Sequence, residues 1–282
     1  MVEAHEKTAH IHVSQDFEIL RAESLSKSFG GLVAVEDFNL EMLPGELVGL
    51  IGPNGAGKTT VFNLLTGFYR PTAGRIHFMG YRVDGLPPHR ITEHGLARTF
   101  QNIRLFGALS VKENVKIGYH HRTTYGLADA VLRRRAFREE ELEVEEKAAE
   151  LLDLFGLVDL ADEPAAGLPY GMQRRLEIAR ALSAGPRLLL LDEPVAGMNP
   201  AESRELMQLL RWLRSEFDLT MLLIEHDMKF VMDICERIVV MDGGSIIAKG
   251  TPGEIRSNQA VIEAYLGSES EHAALHPAGR AG

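Results

Sequence analysis

The stretch from 47 to 67, LVGLIGPNGAGKTTVFNLLTG, carries residue types at a spacing suited to chemistry on phosphate. Gly52, Gly57, Lys58 and Thr59 stand in the order G-x-x-x-x-G-K-[ST], directly after an apolar run of strand length and directly before a helical pattern that stops at Gly67. Glycines let successive backbone N–H groups curl around phosphate oxygens, and the start of the following helix adds positive dipole. Lys58 can then reach the β- and γ-phosphates of a nucleotide, and the Thr59 hydroxyl can bind Mg2+. Asn54, Gly55 and Thr60 belong to the same stretch and are read with it as nucleotide contacts.

A second stretch, RLLLLDEPVAGMNP, ends a buried-strand pattern on Asp192 and Glu193. The carboxyl end of a strand is where an open α/β sheet keeps its ligand crevice. Asp192 suits the Mg2+ shell, and Glu193 beside it can polarise an attacking water, whose proton must leave as the bond to phosphorus forms. His226 follows another apolar run in LLIEHDM and gains functional meaning from that position. Gln101 in ARTFQNIRLF and Phe29 in LSKSFGG read equally as a loop polar residue and a core aromatic, and spacing promotes neither.

The elements that must position these residues show as alternating patterns. Apolar runs at Leu47–Ile51, Leu188–Leu191, Leu219–Ile224 and Ile238–Met241 alternate with helical periodicity, predicting an α/β unit with a buried, largely parallel sheet. In GMNPAESRELMQLLRWLR, Asn199 can cap, Pro200 fits the first helical position, Glu202 completes a capping box, and Leu206, Leu209, Leu210 and Leu213 form one stripe. From about 139 to 155 a second helix shows Val144, Ala148, Leu151, Leu152 and Phe155 on one face, with Glu143 and Lys147 paired across a turn. The charged run RRRAFREEELEVEEK around its start reads as a solvated face. RIVVMDGGSIIAKG predicts two antiparallel strands around a Gly-Gly turn.

Composition narrows the class. With 282 residues and a net charge of −10, the chain is large enough for a core and a subdomain, and a broad basic surface for nucleic acid is disfavoured. Cys235, the single cysteine, has no partner for a disulfide and reads as a small buried apolar residue. No apolar run reaches the roughly 18 residues of a membrane span, so the protein is expected in the cytoplasm, with any membrane role arriving through a partner. The first 18 residues and the last 15, from 268 to 282, are expected to be loose.

Taken together, GPNGAGKT, Gln101, LPYGMQRRLEIARAL, LLLLDEP and EH occur in the order seen in nucleotide-binding subunits of ABC transporters, and the chain resembles that family from about residue 20 to 266. The resemblance implies an α/β fold with a P-loop NTPase core over 19–267, its sheet mostly parallel, joined by an antiparallel β subdomain and a helical subdomain at about 89–185. It implies ATP and Mg2+ as cofactors. It assigns Phe29 to the adenine, Gln101 to Mg2+ and the attacking water, His226 to the γ-phosphate, and the helix start at Tyr170 and Gly171 to ATP held by a second subunit. Lys58, Gln101, Glu193 and His226 are thus the catalytic expectations, and Thr59, Gln101 and Asp192 the metal ones.

The family's signature carries a serine where this chain has Pro169, so one hydroxyl contact to the γ-phosphate is absent. ARTFQNIRLFGALSVKENV, DEPVAGMNPAE and GTPGEIRSNQAVIEAYLG are similar to the longer ATPase subunit of bacterial branched-chain amino-acid importers. That likeness implies a peripheral place on the inner face of the cell membrane, with integral-membrane permeases, a second ATPase subunit and a solute-binding protein as partners. Related ATPases serve urea, other amino acids or lipopolysaccharide export, and others work away from membranes. These alternatives stay open at this level.

Overall fold

The computed structural model describes residues 17–119 and 135–266. The expectations for residues 1–16 and 267–282 lie outside the described residues. Two sheets organise the rest. Strands β1 (Leu20–Phe29), β2 (Leu32–Met42), β4 (Ala73–Phe78) and β5 (Tyr81–Arg82) form an antiparallel sheet in the order β2-β1-β4-β5. Strands β3 (Leu47–Ile51), β6 (Leu96–Arg98), β7 (Leu188–Asp192), β8 (Thr220–Ile224), β9 (Arg237–Asp242) and β10 (Ser245–Gly250) form a second sheet in the order β10-β9-β3-β8-β7-β6. It is parallel except for β10, which returns antiparallel on β9 through Gly243 and Gly244, both at positive φ as the short turn requires.

The apolar runs become strands because both faces of this sheet are covered. Val48 and Leu50 of β3, Leu188 and Leu190 of β7, and Leu222 and Ile224 of β8 enter one cluster, with α1 (Lys58–Leu65) and the inner residues of the antiparallel sheet. Their alternate neighbours, Leu47, Ile51, Leu189, Leu191, Met221 and Leu223, enter the other, against helices. Successive strand side chains point to opposite faces, so a run without polar interruption suits a strand buried on both sides.

Those helices follow the predicted stripes. α4 (Arg135–Leu154) buries Val144, Ala148, Leu151 and Leu152, and Phe155 just past its end is fully enclosed. Glu143 does pair with Lys147, but the charged run is not wholly solvated: Lys116 of α3 (Val111–Tyr119) meets Glu141 at 3.2 Å and Glu145 at 3.0 Å. α6 (Pro200–Phe217) starts with the expected reciprocal capping box of Asn199 and Glu202 and buries Leu206, Leu210 and Leu213, leaving Leu209 at the edge of the stripe. α2 (Pro88–Glu93), α5 (Tyr170–Ser183), α7 (Met228–Ile234) and α8 (Pro252–Arg256) complete the labelled helices, and a further helical run covers 259–266. Cys235 is buried against Gly49, and burial pushes its thiol well above the ordinary range, leaving it an apolar filler.

Candidate functional site

Strand order decides what meets. β8 lies between β3 and β7 and all three run parallel, so the residues that follow them, Gly52 after β3, Asp192 and Glu193 at the end of β7, and Glu225 and His226 after β8, share one sheet edge. β6 extends that edge and delivers Arg98 and, three residues later, Gln101.

The glycine loop has no room for side chains at two points. A Cβ on Gly52, at φ +150°, would sit 2.0 Å from the Met241 carbonyl oxygen, and one on Gly57, at φ +99°, 2.5 Å from that of Ala34. Gly57 caps α1 with no side-chain hydrogen bond, and no acidic residue stands in the first turn, so the N–H groups and dipole of α1 face the loop uncompensated. Asn54 and Gly55 are exposed on the loop and Thr59 in the first turn of α1, where Thr60 is partly buried. Lys58 Nζ donates to the carbonyls of Gly52 at 2.6 Å and Pro53 at 2.7 Å. Burial holds the Lys58 ammonium below its ordinary pKa, against the opposing pull of the Glu193 and Asp192 carboxylates.

Opposite stands the acidic pair. Asp192 is buried and its Oδ2 accepts from Arg98 Nη2 at 2.7 Å, while Arg98 Nη1 donates to Asn63 Oδ1 of α1 at 2.7 Å. Glu193 adopts φ +49°, a left-handed conformation that costs a non-glycine residue about 1–2 kcal/mol, and its N–H donates to the Ile224 carbonyl at 2.8 Å. The turn carries its carboxylate to where Gln101 Nε2 donates to Oε2 at 3.0 Å and His226 Nδ1 lies 3.9 Å from the same oxygen. His226 is largely exposed, whereas Glu225 is enclosed, accepting from the backbone N–H groups of Val195, His226 and Asp227 at 3.1, 2.8 and 3.2 Å. Glu225 thereby fixes the turn that presents His226.

Gln101, Glu193 and His226 are thus joined, with Lys58 feeling the field of the same carboxylates. Phe29 stands apart, in the antiparallel sheet: it is exposed at the end of β1, edge-on to Tyr69 with ring centroids 5.1 Å apart, and Lys27 Nζ lies 4.9 Å from its ring. Tyr170 and Gly171 begin α5, where Tyr170 packs on Gly197 and Gly171 faces the Glu202 side chain. Pro169 is the N-cap and supplies no acceptor, so the first N–H groups of α5 have no side-chain partner. Among the described residues no three His, Cys, Asp or Glu converge as a metal cluster. The hydroxyl of Thr59, the amide oxygen of Gln101 and the carboxylate of Asp192 are hard oxygen donors of the kind that suits Mg2+ sharing its shell with phosphate and water.

Four charged residues that the structure encloses carried no functional reading in the sequence: Arg98, Arg174, Glu177 and Glu225. Arg98 ends β6, Arg174 and Glu177 lie one turn apart on α5, and Glu225 directly follows β8. Each is a charge enclosed by residues distant in sequence, so the local sequence offers no signal of its burial.

Residues 35–196, which contain the glycine loop, Gln101, the start of α5 and the acidic pair, match the family model described as ABC transporter. The chain belongs to the ABC transporter ATP-binding family. A second match, to a model described as Branched-chain amino acid ATP-binding cassette transporter, covers residues 245–271 of this ABC ATPase. It is 49% identical over 249 residues, 88% of its length and 98% of the relative's, to the high-affinity branched-chain amino acid transport ATP-binding protein LivG of Escherichia coli. It is 36% identical over 251 residues, 89% of its length and 98% of the relative's, to the lipopolysaccharide export system ATP-binding protein LptB of Haemophilus influenzae. Among solved structures, a nucleotide-free ATP-binding cassette of an ABC transporter matches with a TM-score of 0.77 at 31% identity, over 88% of this ABC ATPase and 99% of that chain. The ADP conformation of such a cassette matches with the same TM-score and identity, over 89% and 99%. The expected P-loop α/β fold with its antiparallel sheet is therefore the fold of this ABC ATPase. No described helix is long and apolar enough to cross a membrane.

Proposed function

We propose that this ATPase subunit hydrolyses Mg-ATP in two sites shared between paired subunits and so powers import of branched-chain amino acids. The observation that carries the reading is the Glu193 carboxylate held between Gln101 and His226 at the strand edge that also bears the glycine loop. The match of residues 245–271 to a branched-chain amino-acid cassette model favours that cargo over lipopolysaccharide.

The chain's own residues account for the steps. The N–H groups around Gly52, Asn54, Gly55 and Gly57 and the start of α1 cradle the phosphates, with Thr60 beside them, and Phe29 stacks on the adenine. Lys58 leaves the Gly52 and Pro53 carbonyls for the β- and γ-phosphates, exchanging two neutral acceptors for charged ones in a partly buried site. Thr59, Gln101 and Asp192 would hold Mg2+, which would neutralise charge on the phosphates. Glu193 accepts hydrogen bonding from the attacking water and its developing proton, Gln101 orients that water, and His226 contacts the γ-phosphate.

The uncapped start of α5, with Tyr170 and Gly171, serves the γ-phosphate held by the other subunit. ATP binding closes the pair and hydrolysis opens it. Residues 89–185 act as the helical subdomain in this motion. The subunit sits on the inner face of the membrane against integral-membrane permeases, with a solute-binding protein delivering cargo to the complex.

Uptake of labelled leucine, isoleucine and valine is measured in cells whose only copy of this protein is wild type or Glu193→Gln, at matched expression and with redundant importers removed. Loss of uptake in the variant alone supports the proposal; equal uptake overturns the cargo.

A further inference from the structure

Arg174 and Glu177 lie in the second turn of α5, three residues apart, with side chains 0% and 1% exposed and Nη1 2.7 Å from Oε2. Arg174 is the largest fully buried side chain among the described residues. Taking two charges out of water is costly, and an apolar pair of similar size would let the helix pack equally well. The remaining hydrogen bonds of the pair therefore carry its meaning, and apart from one of 3.4 Å from Arg174 Nη2 to the Tyr170 hydroxyl they converge on one loop.

Arg174 Nη1 donates to the Phe100 carbonyl at 2.6 Å and Nη2 to the Gln101 carbonyl at 2.8 Å. Glu177 Oε1 accepts from the N–H groups of Phe100 at 3.4 Å and Arg104 at 3.2 Å. A planar guanidinium bonded to two successive carbonyls fixes the orientation of the peptide planes on either side of Gln101, which sets where its side chain leaves the backbone. That side chain is the one that reaches Glu193 Oε2 at 3.0 Å. One turn earlier on the same helix is Gly171.

We propose that Arg174 and Glu177 are positioning residues that lock Gln101 to α5, so that a shift of the α5 start is transmitted to the Glu193 carboxylate of the same subunit. The inference rests on the roles proposed above for Gln101 and for the start of α5, and adds the connection between them. Its consequence is that ATP engaged by α5 across the pair primes hydrolysis in the subunit's own site.

The test is a double-mutant cycle on the purified full-length protein, with steady-state Mg-ATP hydrolysis of Arg174→Lys, Gln101→Ala and the double variant. Lysine keeps the charge opposite Glu177 but cannot hold both carbonyls. Arg174→Lys is expected to lower kcat about tenfold, with binding of a fluorescent ATP analogue in the absence of Mg2+ unchanged within about twofold. It is expected to lower kcat no further when Gln101 is already alanine. Multiplicative losses in the double variant overturn the coupling while leaving the role of Gln101 intact; an unchanged kcat in Gln101→Ala overturns that role and the coupling with it.

Hydrogen exchange of the Phe100 and Arg104 amides without nucleotide gives an independent readout. Both are expected to exchange at least about tenfold faster in Glu177→Ala, which removes the acceptor, than in wild type. Unchanged protection overturns the clamp. Where Arg174→Lys fails to fold, Glu177→Gln takes its place in the cycle and is read the same way.

Discussion

Arg98 and Asp192, 94 residues apart in sequence, form an ion pair of 2.7 Å with side chains 7% and 4% exposed. It joins β6 to the end of β7, and through Asn63 and Thr66 Arg98 also reaches α1. Removing the cation leaves a buried carboxylate without its partner. Arg98→Leu is expected to lower unfolding free energy by about 3–5 kcal/mol in urea titrations. Arg90→Ala, which breaks the exposed Arg90–Glu93 pair, should cost no more than about 1 kcal/mol. Equal losses in the two variants would contradict this account of the buried pair.

Pro169 offers neither a hydroxyl nor an N–H at the start of α5. On the proposed pairing, a serine there would add one charge-assisted hydrogen bond to the γ-phosphate held by the other subunit, worth about 1.5–3 kcal/mol. In a Glu193→Gln background, where ATP persists, Pro169→Ser should lower the ATP concentration for half-maximal dimerisation about tenfold or more, read by sedimentation velocity. No shift in that concentration would remove the hydroxyl as the reason this position matters.

Gly52 cannot accept a side chain, since the new Cβ would overlap the Met241 carbonyl oxygen and the backbone φ of +150° is already hostile to one. Gly52→Ala should destabilise the protein by about 3 kcal/mol or more and abolish nucleotide binding. Gly253→Ala, in α8 with nothing within 4 Å of the new methyl, should stabilise by up to about 1 kcal/mol. The urea midpoints should move in opposite directions.

Two helix starts should shape acid stability. Glu113 accepts from the backbone N–H of Ser110 and Glu254 from that of Thr251, and these bonds hold both carboxyls below the ordinary glutamate pKa. A depressed carboxyl contributes stability that is present above its unfolded pKa and lost as pH falls through the folded one. The melting temperature should therefore decline from near the ordinary glutamate value of 4.5 downward. Glu254→Gln, which can still accept the Thr251 bond, should make that decline shallower; an unchanged slope counts against this box as a contributor.

Much of the architecture could be read locally. Unbroken apolar runs at 47–51 and 188–191 gave strands because only a sheet covered on both faces buries both sides of such a run. Asn199, Pro200 and Glu202 marked a helix start because a capping box closes within four residues. The glycine loop was legible for the same reason: its geometry is encoded by glycines within six positions of Lys58. Gln101 and Phe29 were not legible from spacing, and only the likeness to a family singled them out.

The sequence alone therefore determined the elements whose hydrogen bonds and burial close within one helix, one strand or one turn. Only the tertiary structure decided that β8 lies between β3 and β7, so that Glu193, Gln101 and His226 meet, and that Arg98 and Arg174 are interior cations rather than surface ones. Strand order and buried ion pairs depend on contacts between residues tens of positions apart, and an arginine in a strand or helix pattern looks the same whether its partner is water, a carboxylate or a carbonyl.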